Sequence, residues 1–337
     1  MLDDIASGIM NSDLVLLTDS DLPGTAAGDT LSDANLRFVE ANSRDAETLI
    51  QSGSDATALV VQWAPITAEV MDGMPNLKII SRLGIGVDMV DIAAATERGI
   101  AVANTPIYCI EEVATHTLAL ILAQARGLSR YDAAVRAGRW SAVDAVPMSI
   151  RPTATTVAVI GYGRIGRMVA TSLTAMGFRV VVSDPFLDEQ AALAAGVTPA
   201  ALANALAGAD IVTLHAPLTE STRHMLNAES IATMRRGAVV VNTCRGQLID
   251  EEALADALES GHLGGAALDV FAEEPLPETS RLRANDRVVL TPHAAWYSPE
   301  ALADLPVHAA RNVVDFLAGR EVPAILNPEV LAQGVSA

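Results

Sequence analysis

Short apolar runs alternate with polar, helix-compatible segments through the first hundred residues of the chain. Strands that alternate with helices form a parallel sheet with helices on both faces, so this pattern predicts an α/β unit. The predicted strands are Leu14–Leu17, Leu36–Val39, Ala58–Val61, Leu77–Ile80 and Ile100–Val102, and the helical segments between them include Asp45–Gln51, Ala68–Met71 and Asp91–Arg98.

A second α/β pattern occupies the later part of the chain. Its predicted strands are Val157–Ile160, Phe178–Val182, Asp210–Leu214, Ala238–Asn242, Gly264–Leu268 and Val288–Leu290, and its helices are Ile165–Met176, Gln190–Ala195, Ala200–Ala207, Glu229–Met234 and Asp250–Ser260. Ile110–Arg126, between the two patterns, is apolar on more than one face, which is typical of a helix buried between domains or subunits. A last helix, Ala301–Leu317, is predicted to return to the first unit. The sequence therefore predicts two doubly wound parallel-sheet domains.

A glycine-rich turn follows the first strand of the second pattern. Gly161, Gly163 and Gly166 have the spacing G-x-G-x-x-G and lead directly into a helix. Such glycines permit a tight turn, close approach of the backbone to a pyrophosphate, and close packing of helix on strand. The helix N-terminus adds free N–H groups and the positive end of a dipole. A dinucleotide site is predicted, the alternative being an ordinary βαβ unit with incidental glycines.

Asp184 closes the next strand of the same unit. A carboxylate at this place accepts hydrogen bonds from the ribose hydroxyls of a dinucleotide. It would also repel the 2′-phosphate of NADP, because both groups are negative. The predicted cofactor is therefore NAD (NADH) rather than NADP.

Length and charge narrow the class of protein. The 337 residues suffice for two domains, and no apolar run reaches the length of a membrane span. The 22 basic and 41 acidic residues give a formal charge of −19, which opposes binding to nucleic acid or to an anionic membrane. Cys109 and Cys244 lack disulfide or CxxC spacing, the acidic N-terminus lacks signal-peptide features, and the six histidines lack metal-site spacing. We expect a cytoplasmic protein without a metal.

The segment Ser81–Asp88 follows the fourth predicted strand and contains Arg82, Gly84 and Gly86. Two glycines beyond the carboxyl end of a strand let backbone N–H groups face a small anion, and an arginine adds a fixed positive charge. The segment therefore predicts an anion site. The alternative is a tight turn with a surface arginine.

Three successive strands of the second unit end in residues that suit acid–base chemistry. Arg245 follows one strand, Asp269 and Glu274 follow the next, and His293 follows the last. Ligands of open α/β sheets bind beyond the carboxyl ends of the strands. Arginine can hold a carboxylate or ketone oxygen, histidine can exchange a proton, and a glutamate can orient the imidazole. With a nicotinamide cofactor this set predicts hydride transfer to or from a 2-hydroxy acid, although each residue alone is more often structural.

The chain resembles the D-isomer-specific 2-hydroxyacid dehydrogenases. The matching segments are Gly161–Gly166 with Asp184, His215–Pro217, Val241–Gly246, Asp269–Pro275 and Thr291–His293. The resemblance implies a Rossmann NAD domain (104–295) inserted into a flavodoxin-like substrate domain (1–103 plus 296–337). It also implies a catalytic set of Arg245, Glu274 and His293, with His293 as proton donor and acceptor.

The same resemblance implies the binding residues. Those for the cofactor are Gly161, Gly163, Arg164, Ile165, Gly166, Asp184, His215, Pro217, Thr222, Thr243, Cys244, Asp269 and Thr117, and the loop that binds the substrate carboxylate contains Leu83, Gly84, Ile85 and Gly86. His116 is interpreted as a packed structural residue. A homodimer through Ile110–Arg126 is also implied.

Within the family the chain looks similar to the C-terminal binding protein branch, through Arg82–Gly86 and His293–Ser298. This similarity implies that Arg82 binds the substrate carboxylate and that Trp296 lines the side-chain pocket. Trp63 falls where that branch has a pocket aromatic, the alternative being an interdomain packing residue. Two indoles would favour an apolar or thioether 2-oxo acid of medium size. Glyoxylate, hydroxypyruvate and phosphorylated acids remain open.

The sequence thus predicts an NAD-dependent oxidoreductase that interconverts 2-oxo acids and D-2-hydroxy acids. One alternative is an NAD-sensing scaffold, like the corepressors of that branch, with weak dehydrogenase activity. The other is an NAD enzyme of the same architecture that oxidises formate or phosphite. The intact set Arg245, Glu274 and His293 favours catalysis.

Overall fold

The computed structural model describes residues 13–145 and 150–333. The chain divides into two compact units: Met1–Cys109 with Ser298–Ala337, and Ile110–Tyr297. Each unit contains one all-parallel sheet. In the part of the chain described, no helix is both long and apolar enough to cross a bilayer.

The first unit contains a five-stranded sheet in the order β2-β1-β3-β4-β5. This is the flavodoxin-like strand order. Its elements are β1 (Leu14–Leu17), α1 (Ala26–Asp33), β2 (Arg37–Glu40), α2 (Ala46–Gly53), β3 (Ala58–Val61), α3 (Ala68–Asp72), β4 (Ile79–Arg82), α4 (Ile92–Glu97) and β5 (Ala101–Ala103). Alternate residues of β1 enter opposite apolar clusters, Leu16 on one face and Val15 on the other, so helices cover both faces.

The second unit is a seven-stranded sheet in the order β12-β11-β10-β9-β6-β7-β8. Its elements are α5 (Ile110–Arg126), α6 (Leu128–Arg136), α7 (Ala142–Ala145), β6 (Thr156–Ile160), α8 (Arg164–Ala175), β7 (Arg179–Ser183), α9 (Glu189–Ala194), β8 (Thr198–Pro199), α10 (Leu202–Gly208), β9 (Ile211–Leu214), α11 (Ala228–Thr233), β10 (Val239–Asn242), α12 (Glu251–Glu259), β11 (Gly265–Leu268) and β12 (Val288–Leu290). The strand order reverses around β6, which is the Rossmann arrangement. Val159 and Ile160 point into opposite clusters, so this sheet is also buried on both faces.

The chain then returns to the first unit through α13 (Pro299–Leu317) and α14 (Glu329–Gln333). Leu305, Ala309 and Val313 of α13 join the apolar cluster that contains Val60 and Ile79 of the first sheet. The Ser81 hydroxyl also donates a hydrogen bond to the Ala309 carbonyl at 2.9 Å. This helix therefore covers one face of the sheet of the first unit.

The predicted fold class is confirmed: both sheets are parallel, with helices on both faces. The predicted strand from Leu77 begins two residues late, at Ile79, because Leu77 closes a turn by donating its N–H to Met74. Helices α1, α6, α7 and α14 and the short strand β8 were not predicted. The sequence pattern thus located the sheets better than the surface helices.

Candidate active site

The glycine turn between β6 and α8 is packed against the backbone of His215. A Cβ on Gly161 would lie 2.5 Å from the His215 carbonyl carbon, and Gly161 also has φ of +98°. A Cβ on Gly166 would overlap the Gly161 carbonyl oxygen. Both glycines are therefore required by the protein's own packing.

Gly163 differs from the other two glycines of the turn. A Cβ there would meet no atom within 4 Å, and its φ of −71° is open to any residue. It is the N-cap residue of α8, and no side chain caps the helix, so the first N–H groups beside the exposed Arg164 are open to a ligand. The protein's own geometry does not explain this glycine, whereas the close approach of a pyrophosphate does.

Asp184, just after β7, lies beside the glycine turn. One carboxylate oxygen accepts the N–H of Tyr162 at 2.7 Å, and the other accepts the N–H of Phe186 at 2.8 Å. A carboxylate has about four acceptor positions, so two remain for ribose hydroxyls. The side chain is therefore fixed in orientation and still able to bind a diol.

His215 follows β9 on the other side of the turn. Its Nε2 lies 3.0 Å from the Thr213 hydroxyl, while its buried Nδ1 has no hydrogen-bond partner within residues 13–145 and 150–333. Burial lowers the pKa of His215 to about 4, so the imidazole is neutral at pH 7. An orphaned polar atom beside the turn, together with the open Gly163, fits a bound dinucleotide.

Gly163→Ala should weaken NADH binding at least about tenfold, because its methyl group would lie where the pyrophosphate approaches the backbone, and it should lower the free energy of unfolding by about 1 kcal/mol or less, because alanine is a poorer N-cap than glycine. Gly166→Ala is the matched control: its methyl group overlaps backbone and should destabilise the fold by about 2 kcal/mol. NADH fluorescence titration and urea unfolding measure the two effects. Wild-type NADH affinity in Gly163→Ala would show that no ligand approaches this glycine closely.

The other predicted cofactor residues form two small clusters. Thr117 and Thr243 are buried, and their hydroxyls lie 2.8 Å apart. The Thr222 hydroxyl donates to the Pro217 carbonyl at 2.7 Å and closes an exposed turn. The Cys244 thiol donates to the Leu214 carbonyl at 3.0 Å, and burial raises its pKa to about 12, so it stays protonated.

Arg245 lies at the carboxyl end of β10, in a turn that other residues hold. The buried Asn242 amide donates to the Arg245 carbonyl at 2.8 Å, and its oxygen accepts the Cys244 N–H at 3.0 Å. A Cβ on Gly246 would overlap the backbone of Phe271, so this glycine lets the turn pack against the segment that leads to Glu274. Neighbouring residues thus hold the backbone at Arg245, and its guanidinium also donates to the Cys244 carbonyl at 2.7 Å.

His293 and Glu274 form a hydrogen-bonded pair. His293 Nδ1 lies 2.7 Å from Glu274 Oε2, and Glu274 Oε1 accepts the Phe271 N–H at 2.9 Å. Burial would raise the pKa of Glu274, but the hydrogen bond and charge of His293, the Phe271 N–H and the charge of Arg245 together hold it below its usual value. The carboxylate therefore stays ionised at neutral pH and orients the imidazole. Both side chains remain partly exposed.

Asp269 is fully buried and holds the loop that carries His293. Its carboxylate accepts the N–H groups of Ala294 and Ala295, each at 2.9 Å, and the Thr291 hydroxyl at 2.5 Å. Its carbonyl accepts the N–H of His293, whose φ of +52° is left-handed. These contacts fix an unusual backbone conformation at the predicted proton donor.

His116 of α5 lies beside Asp269 and Thr291. The sequence around His116 did not indicate this contact. Its Nε2 lies 3.1 Å from the Thr291 hydroxyl and 3.6 Å from Asp269. Asn242 and His116 thus contact residues of the predicted site, although the sequence analysis assigned neither residue a functional role. Their sequence environments, a buried strand end and an Ala-rich helix, are also those of ordinary packed residues.

The predicted anion segment lies at the carboxyl end of β4 in the first unit. Arg82 is 5% exposed, and its guanidinium carbon lies 5.3 Å from the centroid of the Trp63 ring. Gly84 has φ of +140°, and a Cβ there would overlap that guanidinium. The Asn104 amide donates to the Ile85 carbonyl at 2.7 Å. The loop 83–86 is therefore packed against the arginine, and its role as an anion site stays a prediction.

Trp296 belongs to the second unit, on the segment after His293. It is half-buried and packs edge-to-face on Tyr297, with ring centroids 5.7 Å apart. Tyr297 is 58% exposed. The structure thus shows how the Trp296 indole is supported, and its role toward a substrate stays a prediction.

The second unit therefore brings together the glycine turn, Asp184 and His215 on one side of the sheet order and Arg245, Glu274 and His293 on the other. Fold and site together define the class of dinucleotide-binding α/β proteins. Comparison with known proteins narrows the class. The model of the D-isomer specific 2-hydroxyacid dehydrogenase NAD binding domain matches residues 118–295. The chain belongs to this family, and NAD as the predicted cofactor is confirmed.

Three relatives illustrate the range of the family. The chain is 37% identical over 288 residues to a glyoxylate reductase of Korarchaeum cryptofilum, covering 85% of this chain and 87% of that one. It is 38% identical over 321 residues to a D-3-phosphoglycerate dehydrogenase of Mycobacterium tuberculosis, covering 94% of this chain and 59% of that one. A D-lactate dehydrogenase from Aquifex aeolicus, solved with NAD and lactic acid, is 28% identical with a TM-score of 0.81, covering 95% and 98%.

The chain thus spans between 47% and 59% of the length of the phosphoglycerate dehydrogenases to which it is similar. The named activities differ in substrate, and two of them, glyoxylate reductase and D-3-phosphoglycerate dehydrogenase, occur at nearly equal identity. Similarity alone therefore leaves the substrate open.

Proposed function

We propose that the protein is an NAD-dependent D-2-hydroxyacid dehydrogenase that reduces 2-oxo acids. The observation that carries the proposal is the His293–Glu274 pair, 2.7 Å apart, on strand ends next to the one that bears Arg245. The activities named for its relatives support the same reaction class.

The proposed roles follow from the chemistry of the side chains. When bound, NADH supplies the hydride that reduces the substrate carbonyl carbon. Arg245 holds the carbonyl oxygen and stabilises its developing negative charge. His293 gives a proton to that oxygen, and Glu274 keeps the imidazole oriented through their hydrogen bond. Gly163, Arg164, Asp184 and His215 are proposed to hold the cofactor.

In the first unit we propose Arg82 and the loop 83–86 as the site for the substrate carboxylate. The guanidinium is buried and fixed against Trp63, so it presents its charge without a large loss of side-chain entropy. Trp63 and Trp296 are proposed to contact the substrate side chain. This proposal rests on the sequence similarity to the C-terminal binding protein branch. The two indoles favour an apolar tail of small or medium size.

The experiment that tests this function measures NADH oxidation with glyoxylate, hydroxypyruvate, 4-methylthio-2-oxobutyrate and phenylpyruvate, and NAD reduction with formate and phosphite. A clear preference among the 2-oxo acids would support the proposal. NADH binding without turnover of any acid would favour the NAD-sensing scaffold instead. Turnover of formate or phosphite alone would favour a formate or phosphite dehydrogenase instead.

Asp184→Ala should narrow the preference for NADH over NADPH by about tenfold, because it removes the charge that repels a 2′-phosphate. Asp184→Asn is the matched variant, since it removes the charge and keeps the size of the side chain and one of the two oxygens that accept a backbone N–H. The ratio of kcat/KM for the two cofactors measures the effect. An unchanged ratio in both variants would assign the discrimination to other residues.

We also propose a cytoplasmic location. Both cysteines are free thiols, which suits a reducing compartment.

A homodimer is proposed as well. Apolar side chains on and near α6 and α7 are unusually exposed: Leu128 at 55%, Val135 at 53%, Trp140 at 90% and Val143 at 74%. Such a surface is typical of a subunit interface.

A further inference from the structure

Three neighbouring strands of the first unit end close to a single indole. Asp21 follows β1, Gln62 and Trp63 follow β3, and Arg82 ends β4, and these strands are adjacent in the sheet. Only Arg82 and Trp63 have a place in the function proposed above. Asp21 and Gln62 do not.

Asp21 is an exposed carboxylate that is held rigidly. Its N–H donates to Gln62 Oε1 at 2.9 Å, and the Gln62 amide donates back to Asp21 Oδ1. The Trp63 indole N–H donates to Asp21 Oδ2 at 3.3 Å. Gln62 is 3% exposed, so it is part of the rigid interior. An exposed acidic side chain normally moves freely, whereas this one is fixed by a buried amide and an indole.

The Trp63 indole therefore has opposite charges on two sides. The Arg82 guanidinium lies 5.3 Å from its ring centroid, and the Asp21 carboxylate binds its N–H edge. A carboxylate that binds at Arg82 and extends its tail along the indole approaches Asp21.

The positive charge of Arg44 does not neutralise Asp21. Arg44 donates to Asp19 at 2.9 Å, and Asp19 also accepts the N–H groups of Trp63 and Ala64. Within residues 13–145 and 150–333, Asp21 makes no ion pair with a lysine, arginine or histidine. Asp21 therefore keeps a net negative charge that a ligand at this place would meet, screened in part by solvent.

We propose that Asp21 determines substrate specificity by excluding 2-oxo acids that carry a second negative charge on the tail. This inference rests on the proposed dehydrogenase function and on Arg82 as the carboxylate site. A phosphate or second carboxylate would meet a like charge that cannot turn away, because Gln62 holds it. The substrate class is then a 2-oxo acid with an uncharged tail, and phosphorylated acids are disfavoured, despite the similarity to D-3-phosphoglycerate dehydrogenases.

Two substrate pairs that differ in tail charge test the proposal: hydroxypyruvate against 3-phosphohydroxypyruvate, and 2-oxovalerate against 2-oxoglutarate. The wild-type protein should prefer the singly charged member of each pair by more than about tenfold in kcat/KM. Asp21→Asn should narrow each preference roughly five- to tenfold, which is the order expected for one partly exposed unit charge. Most of the change should be a higher kcat/KM for the doubly charged acids.

Asp55→Asn is the matched control. Asp55 is also exposed, but it precedes β3, whereas Trp63 follows it, so the two residues lie at opposite ends of this strand. The control removes the same charge and should leave both preferences unchanged. A wild-type preference for the doubly charged acids, or equal preferences in Asp21→Asn and wild type, would overturn the inference.

Calorimetry of the same four acids with the NAD-bound protein separates this inference from the proposed function. NAD carries no hydride to donate, so binding is measured without reduction. If no acid is turned over but the singly charged acids bind more tightly and Asp21→Asn narrows the difference, the function fails and the charge selection stands. If turnover occurs and affinities do not depend on tail charge, only the selection fails. If none of the four acids is turned over and none binds, both are overturned.

Discussion

His293→Asn should lower kcat for 2-oxo acid reduction by about 10³-fold, the range of a lost general acid, and change NADH affinity less than about twofold. His293 is hydrogen-bonded to Glu274 and lies on a loop that Asp269 fixes, so its imidazole is held in one place. Asparagine tolerates the left-handed backbone of +52° better than most residues, so the loop should keep its conformation. Single-turnover measurement of NADH oxidation isolates the chemical step.

Glu274→Gln provides the comparison for His293→Asn. It keeps an oxygen that can accept from the imidazole but removes the negative charge, so the loss should be smaller, about 10- to 100-fold. The lowered pKa of Glu274 means that the wild-type carboxylate is charged across the neutral pH range, and the comparison is valid there. A larger loss in Glu274→Gln than in His293→Asn would contradict the assignment of the proton donor.

Arg245→Ala should lower kcat/KM for 2-oxo acids by about 10³-fold and leave NADH affinity nearly unchanged, because it removes a charged two-point contact to the substrate. The turn should survive, since Asn242 binds the backbone of residues 244 and 245 and Gly246 packs on Phe271. Steady-state kinetics and NADH titration separate the two effects.

Arg245→Lys serves as the control for Arg245→Ala. It retains a positive charge without the planar fork and should recover only part of the activity. Added guanidinium should partly restore Arg245→Ala if the side chain acts by direct contact. Normal turnover in Arg245→Ala would remove this residue from the proposed mechanism.

The parts of the site that could be predicted from sequence are those in which the residue type alone implies the chemistry. Gly161, Gly163 and Gly166 between a strand and a helix, followed by Asp184, predicted the NAD domain, and the family match confirms it. The strand ends bearing Arg245, Glu274 and His293 suggested the reaction class. The contact between the last two is visible in the structure, while their catalytic roles stay predictions.

Contacts between residues far apart in sequence could not be predicted. The hydrogen bond from Gln62 to Asp21 joins positions 41 apart, and the hydrogen bond from Thr291 to Asp269 joins positions 22 apart. Helix α1 was missed because Ala27 and Gly28 are buried in it beside Leu31, so it lacks a strong apolar pattern. Gly28 packs closely on the Phe38 ring, so any side chain at position 28 would have to displace that ring. Small buried residues carry little hydrophobic signal.

The return of α13 to the first sheet sets an order for folding during synthesis. Residues 110–297 form a contiguous unit, which can fold as soon as it has left the ribosome. The first unit is assembled from segments that lie on both sides of the central unit in the sequence, so the β3–β4 face that receives Leu305 and Ala309 lacks its cover until α13 has been synthesised. The β1–β5 sheet is thus made before the central unit and covered after it, and the nascent chain carries an exposed apolar sheet face while residues 110–297 are being made.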